Sequence, residues 1–143
     1  MPGRVFFLAG SIFGFLGVAA GSFGAHALKL RLSPEMLAVF ETAARYQLLH
    51  AVVLLFVALA ISQNPVPLPK VQPQKFCDYT CWKRYHSALR TSGFLFIAGI
   101  LIFSGSLYIL SLSGVRAWGA VTPLGGLMLL GGWFSLILAA IKK

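Results

Sequence analysis

Histidine is the side chain that exchanges protons near neutral pH and the commonest metal ligand, and this chain has three: His26, His50 and His86. His50 closes the run ETAARYQLLH. At about 100° per residue, Tyr46 and His50 fall on one side of a helix with Gln47 beside them, whereas Glu41 and Arg45 fall on the other. Farther along, Ser104 and Tyr108 of FSGSLY share one face with Ser111 at steps of four and three, and VTPLGG adds Thr122 next to Pro123. All lie in the outer halves of their helices, so His26, Tyr46, Gln47, His50, Ser104, Tyr108 and Thr122 are expected to converge in one polar pocket. Two readings stand: these groups bond helix to helix, or they form a ligand or transport site with His50 as its leading residue.

Harder chemistry finds less support. His26 and His50 could serve haem iron or copper as a weaker alternative, but copper usually wants a third ligand and only Glu41 or a methionine is at hand. No metal or cofactor is expected. HExxH, GxSxG and GxxxxGK[ST] are absent, and the three acidic residues, Glu35, Glu41 and Asp78, share no apolar face, so a catalytic role is not expected.

The elements that must hold these residues are set by composition. Hydrophobic residues make up 58% of the 143 and charged residues 10%, and mean hydropathy is +0.83. A soluble domain carries about a quarter charged residues, so this chain cannot clothe itself in water. Four intervals are free of charge: Val5 to Leu28, Tyr46 to Pro69, Thr91 to Val115 and Ala117 to Ile141. Each is long enough for a helix crossing about 30 Å of hydrocarbon. The expectation is an all-α membrane protein of one domain, residues 1–143, with four transmembrane helices packed as a bundle. Its helices are placed at about 4–28, 34–62, 88–113 and 116–141, with short outer loops and a longer Pro-rich loop at about 63–87, whose first half is expected to be extended and whose second half, from about Phe76, could be helical. The second helix is started at Pro34, a good first-turn residue after the N-cap Ser33. The first interval exceeds the h-region of a signal peptide, about 7 to 15 residues, and is read as a retained span.

An even number of spans puts both termini and the long loop on one side. That side collects Arg4, Lys70, Lys75, Lys83, Arg84, Arg90, Lys142 and Lys143, against Lys29, Arg31, Arg45 and Arg116 opposite. The bias of basic residues predicts cytoplasmic termini in a cell inner (plasma) membrane, or the matrix side of a mitochondrial inner membrane in a eukaryote. The net charge of +9 is accordingly read as affinity for anionic lipid, not nucleic acid. In the loop, Cys77, Cys81 and His86 lack zinc-finger spacing and an evident fourth ligand, and the two cysteines are read as reduced thiols. WKRYHSALR is read as a headgroup anchor through Trp82, Tyr85, Lys83, Arg84 and Arg90.

GSIFGFLGVAAGSFGAH places Gly10, Gly14, Gly17, Gly21 and Gly24 at steps of four and three. No strand or lysine accompanies them, which excludes a phosphate loop. On a helix they lie within about 40° of one line, a groove for close helix packing. His26 projects about 160° from that line. Either the helix unwinds near Gly24 and turns His26 inward, or a second copy of the chain, a partner subunit or a ligand covers that face.

Taken in order, GSFGAH, ETAARYQLLH, FSGSLY and VTPLGG on four apolar spans resemble the small uncharacterised membrane proteins of the YgdD/YwdK type, the domain of unknown function 423, with a mitochondrial relative called transmembrane protein 256. The matching positions are Gly21, Phe23 to His26, then Tyr46, Gln47 and His50, then Ser104 to Ser106 and Tyr108, then Thr122, Pro123, Gly125 and Gly126. The resemblance implies a membrane location and a four-helix fold but no established activity. The central loop looks longer than that family's usual connection, so it adds nothing on Cys77 and Cys81. From the residues, the first expectation is a non-enzymatic protein binding a lipid, a small hydrophobic molecule such as a quinone, or a partner subunit through that outer-leaflet polar cluster. The alternative is a small transporter or channel component, its path lined by Tyr46, Gln47, His50 and Ser104. The inner half of the second helix, AVVLLFVALAI, favours binding over conduction.

Overall fold

The computed structural model describes residues 2–62 and 77–141, with side chains of the second segment from Arg84 onward. Four long helices run in chain order: α1 (Pro2–Phe23), α2 (Pro34–Ser62), α3 (Cys77–Ser113) and α4 (Thr122–Ile141). Among the described residues, these helices are long and apolar enough to cross a membrane. The chain is an all-α, multi-pass architecture whose polar backbone is satisfied within each helix, as hydrocarbon requires.

Local chemistry explains the helix ends. Ser33 Oγ accepts the Met36 N–H at 3.3 Å and Ser33 O accepts the Leu37 N–H at 2.9 Å, so Ser33 caps α2 with Pro34 behind it. α3 stops at Gly114, whose φ of 71° lets its N–H reach back to Leu110 O at 2.9 Å. This left-handed glycine cap costs little because there is no Cβ.

Three boundaries differ from the sequence reading. α3 begins at Cys77, ahead of the span placed from about 88 and close to Phe76, from which the loop could be helical. The stretch from Cys77 to Arg90 holds no Pro or Gly, so its charge alone does not stop the helix from continuing out of the span. The rest of the expected loop, 63–76, lies outside the described residues, as do the side chains of Cys77, Cys81, Trp82 and Lys83. The fourth span is broken: Arg116–Ala120 is a 3₁₀ turn and α4 proper starts at Thr122. Pro123 thus occupies the first turn of α4, where its missing N–H is no loss. At the far end of α1, Gly24–Leu28 forms a π turn.

Packing follows chain order: α1 on α2, α2 on α3 and α3 on α4. α1 barely meets α3 and has no close backbone approach to α4. The core gathers Phe6, Leu54, Val57, Ala58, Phe96, Ile100 and Leu129 from all four helices. Small residues permit these approaches: a Cβ on Gly93 would stand 2.6 Å from the Phe6 ring, and one on Gly132 2.6 Å from the Phe96 ring. Phe6 therefore reaches α3 across the edge of α2. Phe15, Leu8, Leu127 and Leu130 remain mostly exposed, as suits side chains bathed in lipid rather than water.

Candidate functional site

α2 carries its polar residues on two walls, and they do different things. Gln47 is buried and its Nε2 donates to Phe13 O of α1 at 2.9 Å. Gly17 makes the room: a Cβ there would lie 2.8 Å from the Leu48 side chain and 3.5 Å from Gln47 Nε2. On the wall facing α3, Ser104 Oγ donates to Ala43 O at 2.9 Å. Farther round, α3 and α4 are joined by Ser106 and Thr122, whose hydroxyl oxygens are 2.8 Å apart, and by Ser135 Oγ donating to Ala88 O at 2.9 Å. Each of these groups bonds to a neighbouring helix, with Ser106 and Thr122 also reaching Phe103 O and Trp118 O of their own segments, which is the helix-to-helix bonding expected of polar groups in hydrocarbon.

His50 is arranged differently. It is 2% exposed, with Nδ1 2.8 Å from Tyr46 O and Nε2 3.2 Å from Trp133 Nε1 of α4. A carbonyl can only accept and an indole N–H can only donate. The ring is therefore the neutral tautomer, donating from Nδ1 and accepting at Nε2. Phe96 packs 5.5 Å away between ring centroids and Trp133 6.2 Å away in an edge-on arrangement.

Beside this pair a cavity of about 530 Å³ opens on the flank of the molecule between α2, α3 and α4. Its walls include Tyr46, His50, Phe103, Gly126, Leu130 and Trp133, and no charged side chain lines it. The volume is in the range of small-molecule sites, about 300 to 1,000 Å³. A second, smaller cavity of about 340 Å³ lies between the start of α1 and the end of α2, with Arg4, Phe7 and Ser62 on its walls.

Of the seven residues expected in one pocket, only Tyr46 and His50 line the larger cavity. Gln47, Ser104 and Thr122 are nearby but turned to other helices. Tyr108 packs its ring 4.8 Å from that of Phe40, and its buried hydroxyl has no hydrogen-bond partner among the described residues. His26 is a correction. The π turn carries Gly24 and Leu28 inward, with Gly24 against the Phe40 ring, and leaves His26 exposed. The turn is present, but it does not bring the histidine into the polar groups. Among the described residues no three His, Cys, Asp or Glu side chains gather in a way that could hold a metal ion.

Of the glycine stripe, Gly10, Gly14 and Gly17 of α1 and Gly24 of the π turn meet α2, whereas a Cβ on Gly21 would find nothing within 4 Å. Trp133, Phe103 and Leu130 are site residues that the sequence reading passed over. One signal was available: Trp133 lies eleven residues into a 20-residue helix, far from the interfacial belts where tryptophan normally sits.

Comparison with known proteins is consistent across the chain. A family described as "Protein of unknown function (DUF423)" matches residues 20–126. UPF0382 membrane protein YwdK of Bacillus subtilis is 35% identical over 140 residues, covering 97% of this chain and 98% of the relative. UPF0382 inner membrane protein YgdD of Escherichia coli is 32% identical over 142 residues, covering 99% and 93%. UPF0382 membrane protein SERP0230 of Staphylococcus epidermidis is 33% identical over 139 residues, covering 97% of each. No solved structure matches the chain. With four apolar helices, a family match over most of its length and relatives named as membrane proteins, the chain belongs to the DUF423 family of membrane proteins of unknown function.

Proposed function

We propose that this protein is a non-enzymatic binding protein of the membrane, which takes a small hydrophobic molecule from the bilayer into the groove between α2, α3 and α4. The observation that carries the reading is the 530 Å³ apolar cavity, open sideways and ending on the one polar pair of its wall, His50 and Trp133. A lateral opening suits a molecule already dissolved in lipid, because entry exchanges one apolar surrounding for another and needs no aqueous path. The transport alternative draws less from the geometry, since Gln47 and Ser104 bond to different helices and line no common path with His50. The excess of basic residues supports termini on the cytoplasmic face of the inner membrane, which a reporter fused to the C-terminus and active only in the cytoplasm would test.

The test of binding is extraction of the protein with its surrounding membrane in polymer nanodiscs, followed by mass spectrometry of what is retained. A near-stoichiometric small molecule, lost in a Gly126→Leu variant of unchanged thermal stability, is the expected result. A Cβ at Gly126 meets only the Phe103 ring at 3.8 Å, so the larger side chain fills the groove without displacing backbone. Retention of nothing beyond bulk lipid, or equal retention by the variant, would sink the reading.

A further inference from the structure

We propose that the groove takes an uncharged, ring-bearing molecule with a carbonyl or hydroxyl oxygen, the chemical class of quinones and quinols. This rests on the binding reading above and names what the groove selects.

Charge decides first. No Lys, Arg, Asp or Glu lines the groove, so a phosphate or ammonium group would leave water without a partner, a cost of several kcal/mol or more. Depth decides next. His50 lies sixteen residues past Pro34 in a 29-residue helix, about 24 Å along its roughly 43 Å, and Trp133 is likewise near the middle of α4. The polar end of the groove therefore lies within the charge-free part of the span, past Glu41 and Arg45 of the same helix. Phospholipid headgroups stay at the interface, whereas neutral molecules dissolved in the hydrocarbon reach this level.

The wall itself favours a flat ring. Tyr46 and Phe103 have ring centroids 4.7 Å apart, and Tyr46 stacks on His50 at 6.0 Å. With Trp133 these rings form an aromatic flank along which a ring gains offset or edge contacts that a methylene chain cannot match. Hydrogen-bond valence completes the argument. His50 Nε2 offers one acceptor and Trp133 Nε1 one donor, at present directed at each other. Tyr46 adds a hydroxyl on the groove wall that bonds to no described residue. A ligand carbonyl can accept from the Tyr46 phenol while the indole stays on Nε2, and a ligand hydroxyl can accept from the indole and donate to Nε2, so neither leaves a group unsatisfied. A plain acyl chain can do neither.

The experiment uses the full chain carrying Trp82→Phe and Trp118→Phe, in phosphatidylcholine nanodiscs, so that Trp133 alone reports. Decylubiquinone is the probe, read by quenching of Trp133 fluorescence. Saturable quenching is expected, with the apparent affinity about tenfold weaker in Gly126→Leu and in Tyr46→Phe, a change of about 1.4 kcal/mol. Quenching that rises linearly with quinone content and is the same in Gly126→Leu would overturn the ligand class. Phosphatidylcholine with brominated chains then separates the two readings. If Gly126→Leu lowers its quenching of Trp133, acyl chains enter the groove and the binding reading stands without the ring preference. If bromine quenches both proteins equally, the groove admits neither and both readings fall.

Discussion

Trp133 Nε1 donates to His50 Nε2 across 3.2 Å, and among the described residues no other hydrogen bond joins α2 to α4. These helices have no close backbone approach of their own, both leaning on α3. The pair is thus a polar tie over the groove as well as part of its wall, and structural and binding roles meet at one histidine.

That tie gives the first prediction. Removing either partner strands the other, so His50→Phe and Trp133→Phe should each lower thermal stability in detergent. The double variant should cost less than the sum, with a coupling of about 0.5 to 1.5 kcal/mol. Strict additivity would show that the 3.2 Å contact contributes nothing.

Tyr108 predicts the opposite sign. Its hydroxyl is buried and has no partner among the described residues, while its ring is held against Phe40. Tyr108→Phe keeps the ring and removes the unsatisfied group, so stability should be unchanged or rise by up to about 1 kcal/mol. A clear loss in a melting experiment would mean that the hydroxyl has a partner in the membrane, such as a lipid oxygen.

The contrast between His50 and Tyr108 shows what the sequence made legible. Four spans, the Ser33–Pro34 start of α2 and the face shared by Tyr46 and His50 follow from charge-free intervals, capping chemistry and 3.6-residue periodicity, all of which are local. Periodicity could not tell which neighbour each polar face meets. Gln47 is one residue from Tyr46 yet bonds to α1, and Ser104 is spent on α2 rather than on the groove. Pairwise packing of α1 on α2 and α3 on α4 is tertiary information, so one expected pocket became several separate ties. His26 failed for a different reason. Unwinding near Gly24 was one of two ways expected to cover it, whereas in the π turn found there apolar Leu28 takes the buried place.

The glycine stripe of α1 can be tested residue against residue. At Gly10 a new Cβ would stand 3.0 Å from Ala51 O and 3.0 Å from the Leu55 side chain, and backbone cannot yield as a rotamer can. Gly10→Ala should therefore destabilise by about 1 to 3 kcal/mol. Gly21→Ala meets open space and should gain from higher helix propensity, up to about 1 kcal/mol. Thermal melts that rank the two variants the other way would place the α1 contact elsewhere.

Accessibility separates the two histidines that the sequence grouped. His26 is exposed at the end of α1, while both nitrogens of His50 are engaged and its ring is 2% exposed. Site-resolved acylation with diethylpyrocarbonate, read by mass spectrometry, should modify His26 quickly and His50 slowly. His26→Ala should shift stability by less than about 0.5 kcal/mol, as for a surface position without special contacts. Equal protection of both histidines would restore His26 to a covered site, and the covering surface would then have to come from a second copy of the chain or another molecule.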